Sequence, residues 1–374
     1  MNKKTKLTVL QVLPELNSGG VERGTIELAE KLVEEGHRSI VISNGGSLVK
    51  NLTATGSEHI QLPVHKKSFL SFFQVKPLVR HIDLIQPDII HVRSRLPAWL
   101  IRYALKKCRY KNKIKLISTV HGLYSVNRYS QIMTRADHII AVSNTVKGYI
   151  LKNYPEVNEN KITVIFRGVD SNKFNPSIKL SKKWLKQWQQ DFPKTKDKKI
   201  LTLPGRVTRL KGHQEFLKLI AKLKSQKISI HGLIVGDIHQ SKQSYFEEIK
   251  QQIKKLDIEE MISFTGLRED IAEIYQYSDI VYSLSSKPES FGRTVLEPLV
   301  MGKMVLGWSH GGVGEILEAI YPQGQVPLGN SDLLYQKTLA LLENSDLPAK
   351  ENPFTQERMF NSTLNLYQNV VEND

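Results

Sequence analysis

Short apolar runs rich in β-branched residues recur along this chain with helix-patterned stretches between them, and they come in two series. The first is LTVLQVL (7–13), RSIVISN (38–44), DIIHVR (88–93), KLISTVHG (115–122) and HIIAVS (138–143). Runs of this kind read as strands buried on both faces, hence a parallel sheet. Their alternation with stretches such as VERGTIELAEKLVEEG (21–36) predicts a doubly wound α/β domain. A second series follows a lysine-rich stretch ending at Lys199: ILTLPG (200–205), ISIHGLIVGD (228–237), MISFTG (261–266), DIVYSLS (279–285) and KMVLGWS (303–309). The 374 residues exceed what one core usually serves. Two Rossmann-like domains are therefore expected, over residues 1–172 and 173–352, with a crossover near 170–176 and a terminal helix (353–371) returning to the first. Ligands of open parallel sheets bind beyond the carboxyl ends of the strands, so an interdomain cleft is the expected site and the informative residues should follow strands.

Several classes of function are disfavoured at this level. A single cysteine, Cys108, rules out an intramolecular disulfide and a cysteine-based metal site, which suits a reducing, cytoplasmic compartment. The opening MNKKTKLTVLQVLPEL has a short apolar run without a small-residue cleavage site and reads as a first strand. No apolar stretch approaches the roughly 18 residues of a spanning helix. The net charge of +16 is uneven: residues 1–170 hold 26 Lys+Arg against 13 Asp+Glu, and residues 171–374 hold 27 against 24. A basic first half attracts a polyanion, whether nucleic acid, an anionic bilayer or a phosphorylated glycolipid. Nucleic acid is the weakest of these, because there is no zinc-finger spacing and no RNP-like run.

Four constellations follow the expected strands. Gly19-Gly20 opens the helix carrying Glu22, where bare backbone amides and the helix dipole can face an anion; a plain structural turn is the bland alternative. Gly205-Arg206 and Lys211-Gly212 lie in one strand-to-helix loop, so an arginine fork and a lysine point charge can converge on a diphosphate, unless the loop is merely solvated. Glu289 and Glu297 offer carboxylate acceptors to sugar hydroxyls, the first in a loop and the second early in the next helix, unless they are two surface glutamates, and Pro298 obscures where that helix starts. His121 ends a strand and can bond a hydroxyl or carry a proton, or simply pack. There is no Asp-x-Asp and no His/Asp ligand cluster, so the charge of a departing diphosphate falls to Arg206 and Lys211.

Taken in order, Gly19-Gly20-Val21-Glu22, Thr119-Val120-His121-Gly122, Gly168-Val169-Asp170, Gly205-Arg206 with Lys211-Gly212, Phe264-Thr265-Gly266, Glu289 to Glu297, and Gly311-Gly312 before Glu315 resemble family 4 of the retaining glycosyltransferases, nearly end to end. The stretch from His91 to Trp99 is similar to a bacterial subgroup that builds lipopolysaccharide cores, mannosyltransferases among them. The resemblance implies the GT-B fold and metal-independent, retaining transfer of a hexose from a nucleotide sugar. It favours GDP-mannose, with a UDP-sugar open, and a lipopolysaccharide core intermediate or other glycolipid as acceptor. It implies that Arg206 and Lys211 hold the diphosphate, Glu297 the ribose and Glu289 the transferred sugar, with backbone amides near Phe291 and Gly292. Leu267 and Arg268 would border the base, His121 would lie near the reacting centre, and Gly19-Gly20 near the donor phosphate or acceptor. Arg167 departs from the asparagine common before Gly168 in that family.

The charge of the first half suggests peripheral attachment to the inner leaflet. Lys66-Lys67-Ser68-Phe69-Leu70-Ser71-Phe72-Phe73 joins cations to aromatics, and Arg102, Lys106, Lys107, Arg109, Lys111, Lys113 and Lys115 form a run without acids. Packed and solvated helices are the bland alternatives. A sugar-nucleotide epimerase on the same fold and an inactive sugar-nucleotide-binding module are the rival functions.

Overall fold

The computed structural model describes residues 6–17, 19–66, 68–238, 242–344, 347–349 and 351–372, residue 69 by its backbone alone. Lys67 and the Phe69 side chain, part of the expected membrane segment, lie outside the described residues. The chain divides into two compact units, Met1–Phe166 with Glu357–Asp374, and Arg167–Gln356.

The first unit is built on a parallel sheet of β1 (Thr8–Val12), β2 (Arg38–Ser43), β3 (Glu58–Gln61), β4 (Ile89–Val92), β5 (Lys115–Val120), β6 (His138–Ala141) and β7 (Ile162–Val164), in the order β3-β2-β1-β4-β5-β6-β7. The order reverses between β1 and β4, which register Val9 on Ile89 and Val12 on Val92. The helix Gln356–Glu372 belongs here: Phe360, Leu364, Leu366 and Tyr367 pack with Leu7, Val9, Leu28, Ile89, Ile117, Ile140 and Ile165. Burying each such side chain stabilises by about 1.5–3 kcal/mol.

The second unit carries β8 (Lys199–Pro204), β9 (Ile230–Val235), β10 (Ile262–Gly266), β11 (Ile280–Ser283), β12 (Met304–Trp308) and β13 (Gln325–Val326), parallel and ordered β10-β9-β8-β11-β12-β13. Its order reverses between β8 and β11, so the loops after these two strands flank the switch point where α/β sheets bind ligands. Inside this unit Val169 bridges Thr355, and Gly168 lies so close to that backbone that an added Cβ would sit 2.2 Å from the Gln356 nitrogen. Gly168-Val169-Asp170 thus has a packing role. Two Rossmann-like domains were legible from the buried strands; β3, β7 and β13 were not. β3 reads Glu-His-Ile-Gln with exposed ends, and β7 and β13 span 3 and 2 residues, because an edge strand needs no continuous apolar run.

Among the described residues, no helix is long and apolar enough to cross a membrane.

Candidate functional site

In the second unit the chain leaves β8 through Gly205, whose φ of +136° favours glycine. The bare position lets the Lys211 stem cross it, with Cε 3.2 Å from where a Cβ would stand. Lys211 thereby reaches Glu289, in the loop after β11, at 2.7 Å. Two residues 78 apart, expected to act on different parts of a donor, form one ion pair. Ser285 also donates to the same oxygen, Oε1 of Glu289, and Oε2 takes no bond among the described residues. Burial opposes the charge on Glu289, but Lys211, Ser285 and His310 together outweigh it and hold the carboxyl below its usual range. His310 is itself held by a 2.8 Å bond from Nε2 to the Ser285 carbonyl. Arg206 is exposed and has no partner among the described residues.

The loop carrying Glu289 is clamped by glycines. Gly312 donates its N–H to the Glu289 carbonyl at 2.8 Å, and a Cβ on Gly312 would lie 2.4 Å from Phe291 backbone atoms. Phe291 buries its ring edge-on against Phe354, leaving only its backbone for a ligand. Gly292, at φ +113°, begins the helix Arg293–Val300, which has no side-chain cap and no acid in its first turn. Its first amides are therefore available to an anion.

Glu297 lies in the second half of that helix rather than early in it, directly before Pro298, which the helix accommodates. It is almost fully buried: Arg293 donates to Oε1 at 3.1 Å and Tyr275 to Oε2 at 3.3 Å. Burial dominates and holds this carboxyl above its usual range, in spite of Arg293 and Tyr275. Ser285, His310, Tyr275 and Arg293 were missed in the sequence. Only Arg293, four residues before Glu297 on a helix, left a legible signal.

Arg268 and Leu267 divide. The Arg268 guanidinium forks onto Asp270 at 2.8 and 2.6 Å and lies 5.8 Å from the Trp188 ring, while Trp184 donates to the same carboxylate at 2.7 Å. It is spent within its own loop. Leu267, just past β10, is 72 % exposed and free to cover an apolar ring.

In the first unit, Gly19 is the N-cap of the helix Gly20–Glu34 with extended backbone. The Glu22 carboxylate folds back over it, to within 2.1 Å of an added Cβ, so an acid stands in the corner expected to receive a phosphate. His121 follows β5, its N–H donating to the Tyr124 hydroxyl at 3.3 Å. The stretch from His91 to Trp99 ties β4 to the loop after β5. His91 bridges Tyr367 and Thr119 at 2.6 Å each, and burial holds its imidazole well below the usual range and so neutral. Arg93 is buried with Nε on Gln11 at 2.9 Å. Arg95 lies 4.7 Å from the Tyr124 ring centroid, and Trp99 donates to the Tyr129 carbonyl at 3.1 Å. Among the described residues no group of three or more His, Cys, Asp or Glu side chains could hold a metal.

The family model described as Glycosyltransferase Family 4 matches residues 18–173, and that described as Glycosyl transferases group 1 matches residues 186–357. A glycosyltransferase of Rickettsia africae ESF-5, known from its crystal structure, is 34 % identical, with 99 % of this chain and 100 % of that one covered at a TM-score of 0.85. N-acetyl-alpha-D-glucosaminyl L-malate synthase of Bacillus anthracis is 24 % identical over 387 residues, 96 % of each chain. Anabaena HepE in complex with UDP-glucose shares the fold, at 19 % identity and a TM-score of 0.75 over 98 % of this chain and 98 % of that one.

Proposed function

The chain belongs to the glycosyltransferases, family 4 in its first half and group 1 in its second, and from that premise we propose that it transfers a hexose from a nucleotide sugar to a glycolipid, with retention and without a catalytic metal. One observation carries the reading: the Lys211–Glu289 pair stands at the switch point of the second sheet with one carboxylate oxygen open, beside an unpaired Arg206 and an uncapped helix start.

An incoming diphosphate competes with Glu289 for Lys211. As the bond from the anomeric carbon to the phosphate oxygen breaks, negative charge grows on the leaving phosphate, and Lys211, Arg206 and the amides at Gly292 and Arg293 stabilise it. Glu289 turns its acceptors to the sugar hydroxyls, and Glu297 takes the ribose. The acceptor hydroxyl attacks the face that the phosphate leaves, its oxygen bonds to the anomeric carbon, and its proton passes to the departing phosphate oxygen. Positioning is then the enzyme's main task, and His121 holds the acceptor.

Mannose from GDP-mannose remains the favoured donor, on the resemblance at 91–99; the UDP-glucose complex of HepE makes uridine donors the second arm of the test. A lipopolysaccharide core intermediate is the favoured acceptor. The Bacillus anthracis relative, named for L-malate, supports a small soluble acceptor as the second reading. We place the protein peripherally on the inner face of a bacterial inner membrane, supported by the exposed Leu70 and Phe73 beside the basic first half.

A panel of UDP-, GDP- and ADP-sugars, read by thermal shift and slow donor hydrolysis, tests the donor site. One responding donor, lost in Arg206→Ala and Glu297→Ala, is expected; silence across the panel sinks the reading. Isomerisation of the donor sugar without acceptor, in place of slow hydrolysis, points to an epimerase. Turnover abolished by a chelator and rescued by manganese refutes metal independence, and failure to sediment with anionic vesicles at moderate salt refutes membrane attachment.

A further inference from the structure

The outer face of the helix Arg95–Leu105 carries two cavities that the donor chemistry does not use. At its start, Phe72, Arg95, Leu96, Trp99, Tyr103 and Tyr129 line a groove of about 590 Å³. At its end, Arg102, Lys106, Lys111 and Arg135 surround a pocket of about 310 Å³. The two adjoin, since Lys106 Nζ of the pocket lies 5.6 Å from the Tyr103 ring centroid of the groove. From Trp99 to Lys106 the helix rises about 10 Å.

The groove is a set of fixed ring faces. Trp99 stacks on Tyr103 at 5.9 Å and 25°, Phe72 meets Tyr103 edge-on at 5.3 Å, and the Trp99 N–H is turned inward to the Tyr129 carbonyl. Flat aromatic faces with a negative quadrupole suit the C–H face of a pyranose, with the hydroxyl-bearing rims and Arg95 left to fix its orientation. The pocket carries an excess of positive charge. Four cations face one acid, Asp137, which accepts the Leu116 N–H at 2.8 Å, and none of Arg102, Lys106, Lys111 and Arg135 lies within ion-pair distance of a carboxylate among the described residues. Elsewhere Lys147, Lys194, Lys199, Lys222 and Lys224 each hold a carboxylate. Four cations around one carboxylate leave a net positive charge for an anion to neutralise.

The order of the two cavities along the unit decides the ligand. The groove begins where β4 and β5 end, the edge at which His121 stands, whereas the pocket lies at the opposite edge, against Leu116 near the start of β5 and Asp137 just before β6. A hydrocarbon chain in the groove would set lipid at the reacting edge and charge away from it, the reverse of what a glycolipid needs. We propose that the acceptor is an acidic glycan that lies along this helix, a sugar ring near the reacting hydroxyl in the aromatic groove and an anionic group farther along the glycan in the cationic pocket.

This rests on the glycosyltransferase reading and names its acceptor class, so the test is a binding measurement without donor. Calorimetry is run with a panel of disaccharides, each with and without one phosphomonoester, alongside inorganic phosphate and monomeric dodecyl phosphate. At least one phosphorylated disaccharide should bind tenfold or more tightly than its neutral parent. The double variant Arg102→Glu, Lys106→Glu should abolish that advantage, and Trp99→Ala should weaken both forms; Trp99→Phe, which keeps a ring, should restore most of the binding. Equal binding of both forms, silence across the panel, inorganic phosphate binding as tightly as the phosphorylated sugar, or dodecyl phosphate displacing the sugars would each overturn the proposal. A thermal shift with donor in the same variants separates the two failures: if it persists, only the acceptor inference has fallen.

Discussion

Lys211 and Glu289 hold each other in the second unit, and this one contact sets what single substitutions there should do. Lys211→Ala removes the cation from the leaving phosphate, so kcat should fall by about 10²–10³. It also strips Glu289 of its main partner, which should cost about 1–3 kcal/mol of stability. Lys218→Ala, which breaks only an exposed pair with Glu215, should change stability by no more than about 0.5 kcal/mol. Steady-state kinetics with thermal melts on both variants checks this, and equal effects at the two positions would refute the assignment. The two glutamates should also part company in pH. Glu297, whose carboxyl burial raises, takes up its proton first as pH falls, above the usual carboxylate value of 4.5, whereas Glu289 keeps its charge below that value. For stability the signs oppose: protonating Glu297 favours the folded state, while the contribution of Glu289 is lost only as pH drops through its depressed pKa. Donor affinity in the wild type should therefore weaken on acidification before Glu289 titrates, and Glu297→Gln should flatten that limb of the profile. A variant profile as steep as the wild type would remove Glu297 from the ribose. The residue types were legible in the sequence because carboxylates and cations followed strand ends. Their pairing was not, since it joins residues 78 apart in the chain and depends on a bare Gly205.

At the scale of elements, glycines fix how closely the loop after β11 can approach the helix Gly311–Ile320. A Cβ on Gly312 would lie 2.4 Å from Phe291 backbone, which has no freedom to yield, so Gly312→Ala should push residues 289–292 outward. We expect donor binding to fall at least tenfold and stability by about 1–3 kcal/mol, as for other overpacked sites. Gly24 offers the contrast: it lies inside the helix Gly20–Glu34 with nothing within 4 Å of an added Cβ. Gly24→Ala should stabilise by about 0.5–1 kcal/mol and leave donor binding alone. Chemical denaturation with donor titration on the two variants decides it. Strands buried on both faces announced themselves by continuous apolar runs, as in β9, where every residue is buried. The edge strand β3 could not, because its exposed ends are the polar Glu58 and Gln61. Glu297 falls in the second half of its helix because the helix already begins at Arg293, after a turn set by Gly292 that periodicity does not reveal.

For the molecule as a whole, the last helix is the element on which the first unit depends from farthest along the chain. Its return to the first domain was expected from the sequence, but nothing local in Phe360, Leu364 or Tyr367 says which strands of that sheet they will cover. The packing answers it: these side chains close a core made of β1, β4, β5 and β6, and Tyr367 bonds His91 at 2.6 Å. Losing Phe360, Leu364, Leu366 and Tyr367 together forfeits about 6–12 kcal/mol of burial, an upper estimate because an unfolded chain already hides some surface. That is comparable to the whole stability of an ordinary domain, about 5–15 kcal/mol. A chain truncated after Gln356 should therefore lose amide protection in β1, β4 and β5, while β8 and β11, whose unit is encoded wholly within Arg167–Gln356, keep theirs and still respond to donor. Tyr367→Phe, which removes only the hydroxyl from His91, should keep the fold at a cost of about 1–3 kcal/mol. Hydrogen–deuterium exchange resolved by segment distinguishes the outcomes. Protection retained in β1 and β4 after truncation would mean that the sheet stands without its cover. Protection lost in β8 as well would mean that the second unit does not fold on its own residues.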